Sequence, residues 1–382
     1  MKCTGIDWSS GTHREVTFDS IITGVDDLLS PAPSHIWVSP GWIDIQVNGF
    51  AGVDYNSPAT THEAIGRSIH AQFATGVTRF LPTVITGDPD QMLGSLKNLA
   101  EAKRSLPEGA AMEGFHVEGP HISPEDGPRG AHPREWVRPP DLGEYLRWQE
   151  ATEGQVRLVT LAPEWPTAPT YIEHLVREGV TVSIGHTNAN SAQIAEAISA
   201  GATLSTHLGN GAHAVLPRHP NYIWEQLGQD RLAASFIVDG IHLPGCYLKV
   251  ALRAKGVDRS ILITDAVMPA GCAPGPYRLG SVDVELMPDQ RVVLRGGTRL
   301  AGSSLRIDRG IENLMRIAGL SLREAITMST VNPARVCRIA GRRRGLSSGE
   351  RADLVRFRLD DQHKIQVLET YLSGRLVYTA ET

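Results

Sequence analysis

The 382-residue chain has few cysteines: four, at Cys3, Cys246, Cys272 and Cys337, with no CxxC pair among them. Such scatter excludes a disulfide framework and reads as reduced thiols in a cytoplasmic protein. No apolar run approaches the ~20 residues that a membrane span needs. The opening MKCTGIDWSSGTHREV has no apolar stretch of the kind that makes a secretory signal. Basic charge is not in excess either. Lys+Arg 37 against Asp+Glu 42 gives a net charge of −5, so the chain offers no electrostatic target to nucleic acid or to an anionic membrane. Internal repeats, low-complexity segments and long charge runs are also missing. What is present is ordinary globular composition, 41% apolar and 21% charged, enough to bury a sizeable core. The length suggests two domains, although one α/β barrel can occupy about 250 residues.

Between residues 40 and 270, eight short runs rich in apolar and β-branched residues recur, at about 43–48, 78–84, 111–118, 156–162, 180–186, 202–208, 233–239 and 260–266. Their apolarity is continuous rather than alternating, which suits parallel strands buried on both faces. Helical spacing of apolar residues fills the intervals at Thr61–Thr75, Pro89–Lys103, Tyr171–Glu178 and Ser191–Ala200, and Gly76, Gly179 and Gly201 stand where helix stops belong. Eight βα units predict an α/β fold, a (β/α)8 TIM-type barrel over 40–344. A doubly wound open sheet is the alternative, but no GxGxxG turn follows the first strand to support it. Strand-like segments in 1–39 and 345–382, with others at about 273–300, predict a small β-sandwich domain built from both chain ends. Ile307–Ala318 and Ser321–Ile339 read as helical, and Arg342–Arg344 as a solvated basic turn.

Barrel enzymes assemble their sites at the C-terminal ends of the strands. Here those ends carry Asp44-Ile-Gln46-Val-Asn48, His116-Val-Glu118, His186-Thr-Asn188, Thr206-His207-Leu-Gly-Asn210, Asp239-Gly-Ile-His242 and Thr264-Asp265. A lone histidine at such a place is ordinarily a hydrogen-bonded core residue. A glutamate and two histidines at three strand ends facing one mouth make the three-ligand set of a catalytic metal site, with a position left for water. Imidazole suits Zn, Fe, Co or Ni, so the ligands alone do not choose the ion. Asp265, at the last strand, is placed to take a proton from water and pass it to a leaving group; a helix N-cap is its other reading.

The segments PGWIDIQVNGFAGVDYN (40–56), HVEGPHI (116–122), GHTNAN (185–190), THLGN (206–210), DGIHL (239–243), ITDAVMPAG (263–271), LAGSSL (300–305) and NPAR (332–335) resemble, in order, those of the amidohydrolase superfamily. Within it they are most similar to the N-acetylglucosamine-6-phosphate deacetylase family, from Pro40 to the ADLV at 352–355. The resemblance implies metal ligation by Glu118, His186 and His207, and general base and acid work by Asp265. It further implies substrate contacts from His132, His242, Asn210 and Gly211. Arg218 would bind phosphate across a dimer interface, unless it is a solvated loop charge. Gln46 and Asn48 stand where many amidohydrolases have a His-x-His pair for a second metal, so one divalent ion per subunit is expected. Zinc is the expected ion, with Fe2+, Co2+ or Ni2+ as alternatives.

The implied reaction is attack of metal-activated water on the acetamide of N-acetyl-D-glucosamine 6-phosphate, releasing acetate and D-glucosamine 6-phosphate in amino-sugar catabolism. The expected partners are that small amino-sugar phosphate and a second copy of the chain, with neither nucleic acid nor membrane. The stretch GNGAHAVLPRHPNYIW (209–224) departs from the family pattern: RHP-Asn stands for Arg-Glu-Pro-Gly, and Gly209 replaces a larger residue. N-acetylgalactosamine 6-phosphate or an unphosphorylated N-acyl sugar therefore stays open as substrate. A non-catalytic binding protein on the same scaffold is the remaining reading. His213 and His219 in this stretch read as surface or interface residues.

Overall fold

Each of the eight apolar runs forms a strand, and each strand pairs in parallel with the next. They are β1 (Trp42–Val47), β2 (Val77–Ile85), β3 (Phe115–Glu118), β4 (Val156–Leu161), β5 (Thr181–Ile184), β6 (Leu204–Ser205), β7 (Ala233–Ile237) and β8 (Ser260–Ile263). The seam between β8 and β1 is closed beyond the strand ends. Val47 pairs with Ala266, and the amides of Asp265 and Asn48 donate to the carbonyls of Gln46 (3.0 Å) and Ala266 (2.7 Å). The computed structural model, which describes residues 1–28, 35–342 and 344–381, is thus a TIM-type barrel. Among the described residues no helix is long and apolar enough to cross a membrane.

Two apolar cores explain why the strands show no alternation. Ile43, Ile45, Leu81, Leu158, Leu204, Ile237, Ile261 and Ile263 fill the barrel's interior. Phe80, Val117, Val159, Val182 and Phe236 point outward beneath the helices. Fully burying one such side chain contributes about 1.5–3 kcal/mol. The surrounding helices include His62–Phe73, Pro89–Ser105, Ala168–Arg177 and Ser191–Ala200. The last has an Asn190/Gln193 capping box and stops at Gly201 in the left-handed region, φ 114°. The segment expected as one helix over Ser321–Ile339 is two, Leu322–Met328 and Val331–Val336. They are separated at Thr330, whose φ of −135° is not helical.

Residues from both ends of the chain share one seven-stranded sheet. Its order is Arg375–Thr379, Ile365–Leu372, Leu354–Leu359, Ile36–Pro40, Lys2–Asp7, His13–Phe18 and Ile22–Asp27. Phe18 and Tyr371 lie on strands four places apart in that order, yet their rings meet edge to face at 5.2 Å. Neighbouring strands are spaced about 4.8 Å apart, so the sheet must fold over on itself as a sandwich around Val16, Phe18, Val38 and Leu354. The strands expected at 273–300 do not join it. Gly275–Leu279, Val282–Leu286 and Val292–Leu294 form their own three-stranded sheet. Its Leu279, Val284, Leu286 and Val292 pack on Ile85 and Val267, at the mouth of the barrel.

The reading of Arg342–Arg344 as a solvated turn is wrong for its first residue; Arg343 lies outside the described residues, and Arg344 is exposed on Glu350. Arg342 is fully buried, 3.2 Å from the Asp353 carboxylate. The same carboxylate takes Arg79 Nε at 2.5 Å and Arg351 Nε at 2.8 Å, while Arg79 and Arg351 share Glu113 at 3.3 and 3.0 Å. Arg79 belongs to the first half of β2, and Asp353 immediately precedes a strand of the terminal sheet. The cluster therefore joins the barrel's lower end to the sandwich. Burial alone would raise the Asp353 carboxyl, but the three guanidinium groups and the Ser373 amide hold it well below the usual carboxylate range.

Candidate active site

At the opposite end of the barrel, β3, β5 and β6 deliver Glu118, His186 and His207 to one point. His207 Nε2 is 2.9 Å and His186 Nε2 is 3.3 Å from Glu118 Oε1, and the two nitrogens are 3.1 Å apart. His186 Nδ1 lies 2.8 Å from the Pro128 carbonyl, which can only accept. The ring hydrogen therefore sits on Nδ1, and Nε2 turns a lone pair toward the other two donors. Ligands about 2.0–2.1 Å from a tetrahedral metal stand roughly 3.3 Å from one another. The three atoms are thus spaced for a divalent cation, and among the described residues they are the one such group.

His186, His207 and Asp265 have φ of 51°, 30° and 51°. None is glycine, so each strand end carries backbone strain of order 1–3 kcal/mol, which turns the side chain inward. Asp265 begins no helix; the chain continues into the mouth sheet and reaches a helix only at Ile307. The N-cap reading is therefore set aside.

The two amides of β1 hold the carboxylates. Gln46 Nε2 donates to Glu118 Oε1 at 2.8 Å and to Asp265 Oδ1 at 3.2 Å, and Asn48 Nδ2 donates to the same Asp265 Oδ1 at 2.7 Å. Burial and the negative charge of Glu118 push the Asp265 carboxyl up to about 7, against the opposing pull of His207, His242 and Asn48. A cation beside it lowers it again. Burial also opposes ionisation of Glu118, but its contacts with His186 and His207 hold it well below the usual range. Beneath, Asp44 accepts from Thr264 Oγ1 at 2.5 Å and ties β1 to the residue preceding Asp265.

A cavity of 370 Å³ gathers Asn48, Glu118, His186, His207 and Asp265 together with His132, Asn210, Gly211 and His242. Gln46 reaches this site only through its hydrogen bonds. His132 faces Thr86 Oγ1 with Nδ1 at 2.9 Å, and its ring meets that of His186 at 4.4 Å. Burial, then the nearby His186, drives its pKa down to about 3, so it is neutral. His242 Nδ1 is 2.6 Å from Asp239 Oδ2. Gly211 has φ 56°, and a Cβ there would lie 2.7 Å from His186 Nδ1, so only glycine brings this backbone against the ring. Gly209, the departure from the family pattern, has φ 102°, and a Cβ there would lie 2.9 Å from Leu243 and from the Tyr247 ring, which leaves no room for a larger residue.

Arg218 does not join this group; it is exposed on the loop before the Tyr222–Gly228 helix and lines none of the cavity. His213 is held by Tyr222 and Glu125, and His219 is exposed. Thr86 and Arg299 are residues that the sequence reading passed over, while Asp239, a strand-end residue to which that reading gives no role, is here the partner of His242.

The amidohydrolase family model matches residues 37–377. The chain belongs to the amidohydrolase family, in its N-acetylglucosamine-6-phosphate deacetylase branch. It is 33% identical to the N-acetylglucosamine-6-phosphate deacetylase of Bacillus subtilis, over 92% of this chain and 87% of that one. It is also 34% identical to an N-acetylgalactosamine-6-phosphate deacetylase of Shewanella sp., over 89% and 83%. Among solved amidohydrolases, a mutant N-acetyl-D-glucosamine-6-phosphate deacetylase of Mycobacterium smegmatis in complex with N-acetyl-D-glucosamine-6-phosphate superposes with a TM-score of 0.88 at 30% identity, covering 98% of both chains.

Proposed function

We propose that the protein hydrolyses the acetamide of N-acetyl-D-glucosamine 6-phosphate to acetate and D-glucosamine 6-phosphate, a step of amino-sugar catabolism. The observation that carries this reading is the coupling of Asp265 to the donor cluster: one side-chain amide, Gln46, bonds to both Asp265 and Glu118. Glu118, His186 and His207 would hold one divalent ion, with zinc proposed and Fe2+, Co2+ or Ni2+ as alternatives. Bound there, such an ion polarises the acetamide carbonyl and brings water within reach of ionisation near neutral pH. Both amide donors fall on Asp265 Oδ1, which leaves Oδ2 to take the proton from the attacking water. The same oxygen returns that proton to the nitrogen as the C–N bond breaks, since an amide anion cannot leave. His132 contacts the acetamide. His242, its Nδ1 fixed by Asp239, orients the sugar, and Asn210 with the Gly211 backbone completes its seat. Residues 40–344 act as the catalytic barrel and the terminal strands as a separate β domain. A cytoplasmic homodimer, with Arg218 reaching the partner's phosphate site, is part of this reading.

The altered 209–224 loop and the Shewanella relative motivate a second reading, in which the galacto epimer is the substrate. Metal-loaded protein would be assayed for acetate release from both epimers, with and without the 6-phosphate. Turnover confined to the phosphorylated gluco sugar is the expected result, with one ion bound per chain and activity lost on chelation. Preference for the galacto epimer would establish the second reading, and no acetate from any of the four would sink both.

A further inference from the structure

A secondary amide is planar and trans, so its acyl methyl and the carbon attached to its nitrogen point in opposite directions. In the reading above the sugar sits on Asn210, Gly211 and His242, which follow β6 and β7. The methyl then faces the other side of the 370 Å³ cavity, where β2 stands across the eight-stranded barrel from β6. That side is apolar. Ile85, Ala131, Leu279 and Ala301 line it and pack in one cluster with the mouth sheet. Beyond it lies a second cavity, of 790 Å³, and Ile85 and Leu279 are the two residues common to both linings.

This wall is braced from behind. The Ile85 amide donates to Asn56 Oδ1 at 2.7 Å, and the Asn56 amide donates to Asp54 Oδ1 at 2.9 Å. Asp54 Oδ2 in turn accepts from the amide of Gly280, next to Leu279, at 2.7 Å. Asp54 and Asn56 are themselves buried. The three bonds tie the tip of the mouth-sheet hairpin to the end of β2, so Ile85 and Leu279 cannot move apart cheaply to admit a larger group.

We propose that Ile85 and Leu279 select the acyl group: they seat the acetamide methyl and shut longer acyl chains out of the larger cavity. This rests on the deacetylase reading above.

The test offers N-acetyl-, N-propionyl- and N-butyryl-glucosamine 6-phosphate to metal-loaded wild type, Leu279→Ala, Ile85→Ala and Ile85→Val, and measures the amine that all three substrates release. Thermal unfolding first shows which variants fold; valine serves at position 85 if alanine does not. Wild type should prefer acetyl, since one methylene in such a pocket is worth about 10- to 200-fold. Leu279→Ala should raise the ratio of kcat/KM for butyryl over acetyl by about tenfold or more, because the shortened side chain opens the larger cavity. A residue that served folding alone would lower both rates and leave the ratio where it was. A ratio within twofold of wild type in every folded variant overturns the inference and leaves the deacetylase reading intact. Wild type that cleaves butyryl as fast as acetyl overturns it too. Wild type that frees no amine from any of the three removes the deacetylase reading, and this inference with it.

Discussion

Two buried aspartates at opposite ends of the barrel are held in opposite ways. Asp353 sits among Arg79, Arg342 and Arg351 and is kept well below the usual carboxylate range. Asp265 has a second carboxylate across from it, two amides as its donors, and a pKa pushed up to about 7. The first is locked as an anion by groups with nothing else to do. The second is left able to gain and lose a proton, next to two imidazole nitrogens 3.1 Å apart. Around Asp265 the backbone is also strained, with a positive φ there and at both histidines, whereas Asp353 has no positive φ. A buried carboxylate ringed by arginines reads as architecture; one balanced between amides and another carboxylate, on strained backbone, reads as chemistry.

That contrast is broken most decisively by Asp265→Asn. Turnover should fall by about 10²- to 10⁴-fold, or more, for loss of the acid–base group, while metal analysis still finds the ion and the melting temperature does not drop. An active Asp265→Asn would remove the residue from its role. Asp353→Asn should do the reverse. With three guanidinium groups deprived of that carboxylate, unfolding in urea should show a loss of about 3–5 kcal/mol, and activity per folded molecule should persist.

The pH dependence sharpens the same point. Asp353 has a folded pKa below its unfolded value, so its contribution is complete above about pH 5, where the unfolded carboxyl is ionised. It is lost as pH falls through the folded value. The stability gap between wild type and Asp353→Asn should therefore be flat above about pH 5 and shrink below about pH 4. A gap that widened in acid would contradict the pairing. Smallest is Gln46→Leu, which removes one donor shared by Glu118 and Asp265. A loss of about tenfold in kcat is expected, as for one buried hydrogen bond to charged groups. An unchanged kcat would confine Gln46 to packing.

Much of this was legible beforehand. The strands could be read because both of their faces are apolar, and Glu118, His186, His207 and Asp265 because strand ends in a barrel converge on one mouth. What escaped reading depended on conformation or on distant partners. Nothing in the sequence around His186, His207 or Asp265 announces a positive φ, since no glycine marks it. Arg342 looked solvated because its partner Asp353 is buried only once the terminal sheet docks on the barrel. Gln46 and Asn48 read only as standing where other amidohydrolases have a second-metal pair; that their amides hold the two carboxylates depends on partners 72 to 219 residues away. The strands at 275–294 could not be assigned to a sheet by pattern, because pairing partners leave no trace in alternation.

The sandwich has one more consequence, for how the molecule comes into being. Ile36–Pro40 is flanked on one side by Lys2–Asp7 and on the other by Leu354–Leu359. During synthesis the first strands and all eight barrel strands emerge before that second neighbour exists. Arg79 waits with them for the carboxylate that follows nearly three hundred residues later. A nascent chain stalled anywhere short of Asp353 therefore shows an open sheet edge and a buried cation that lacks the nearer of its two carboxylates, so interrupted translation yields something visibly unfinished to the cell's chaperones and proteases.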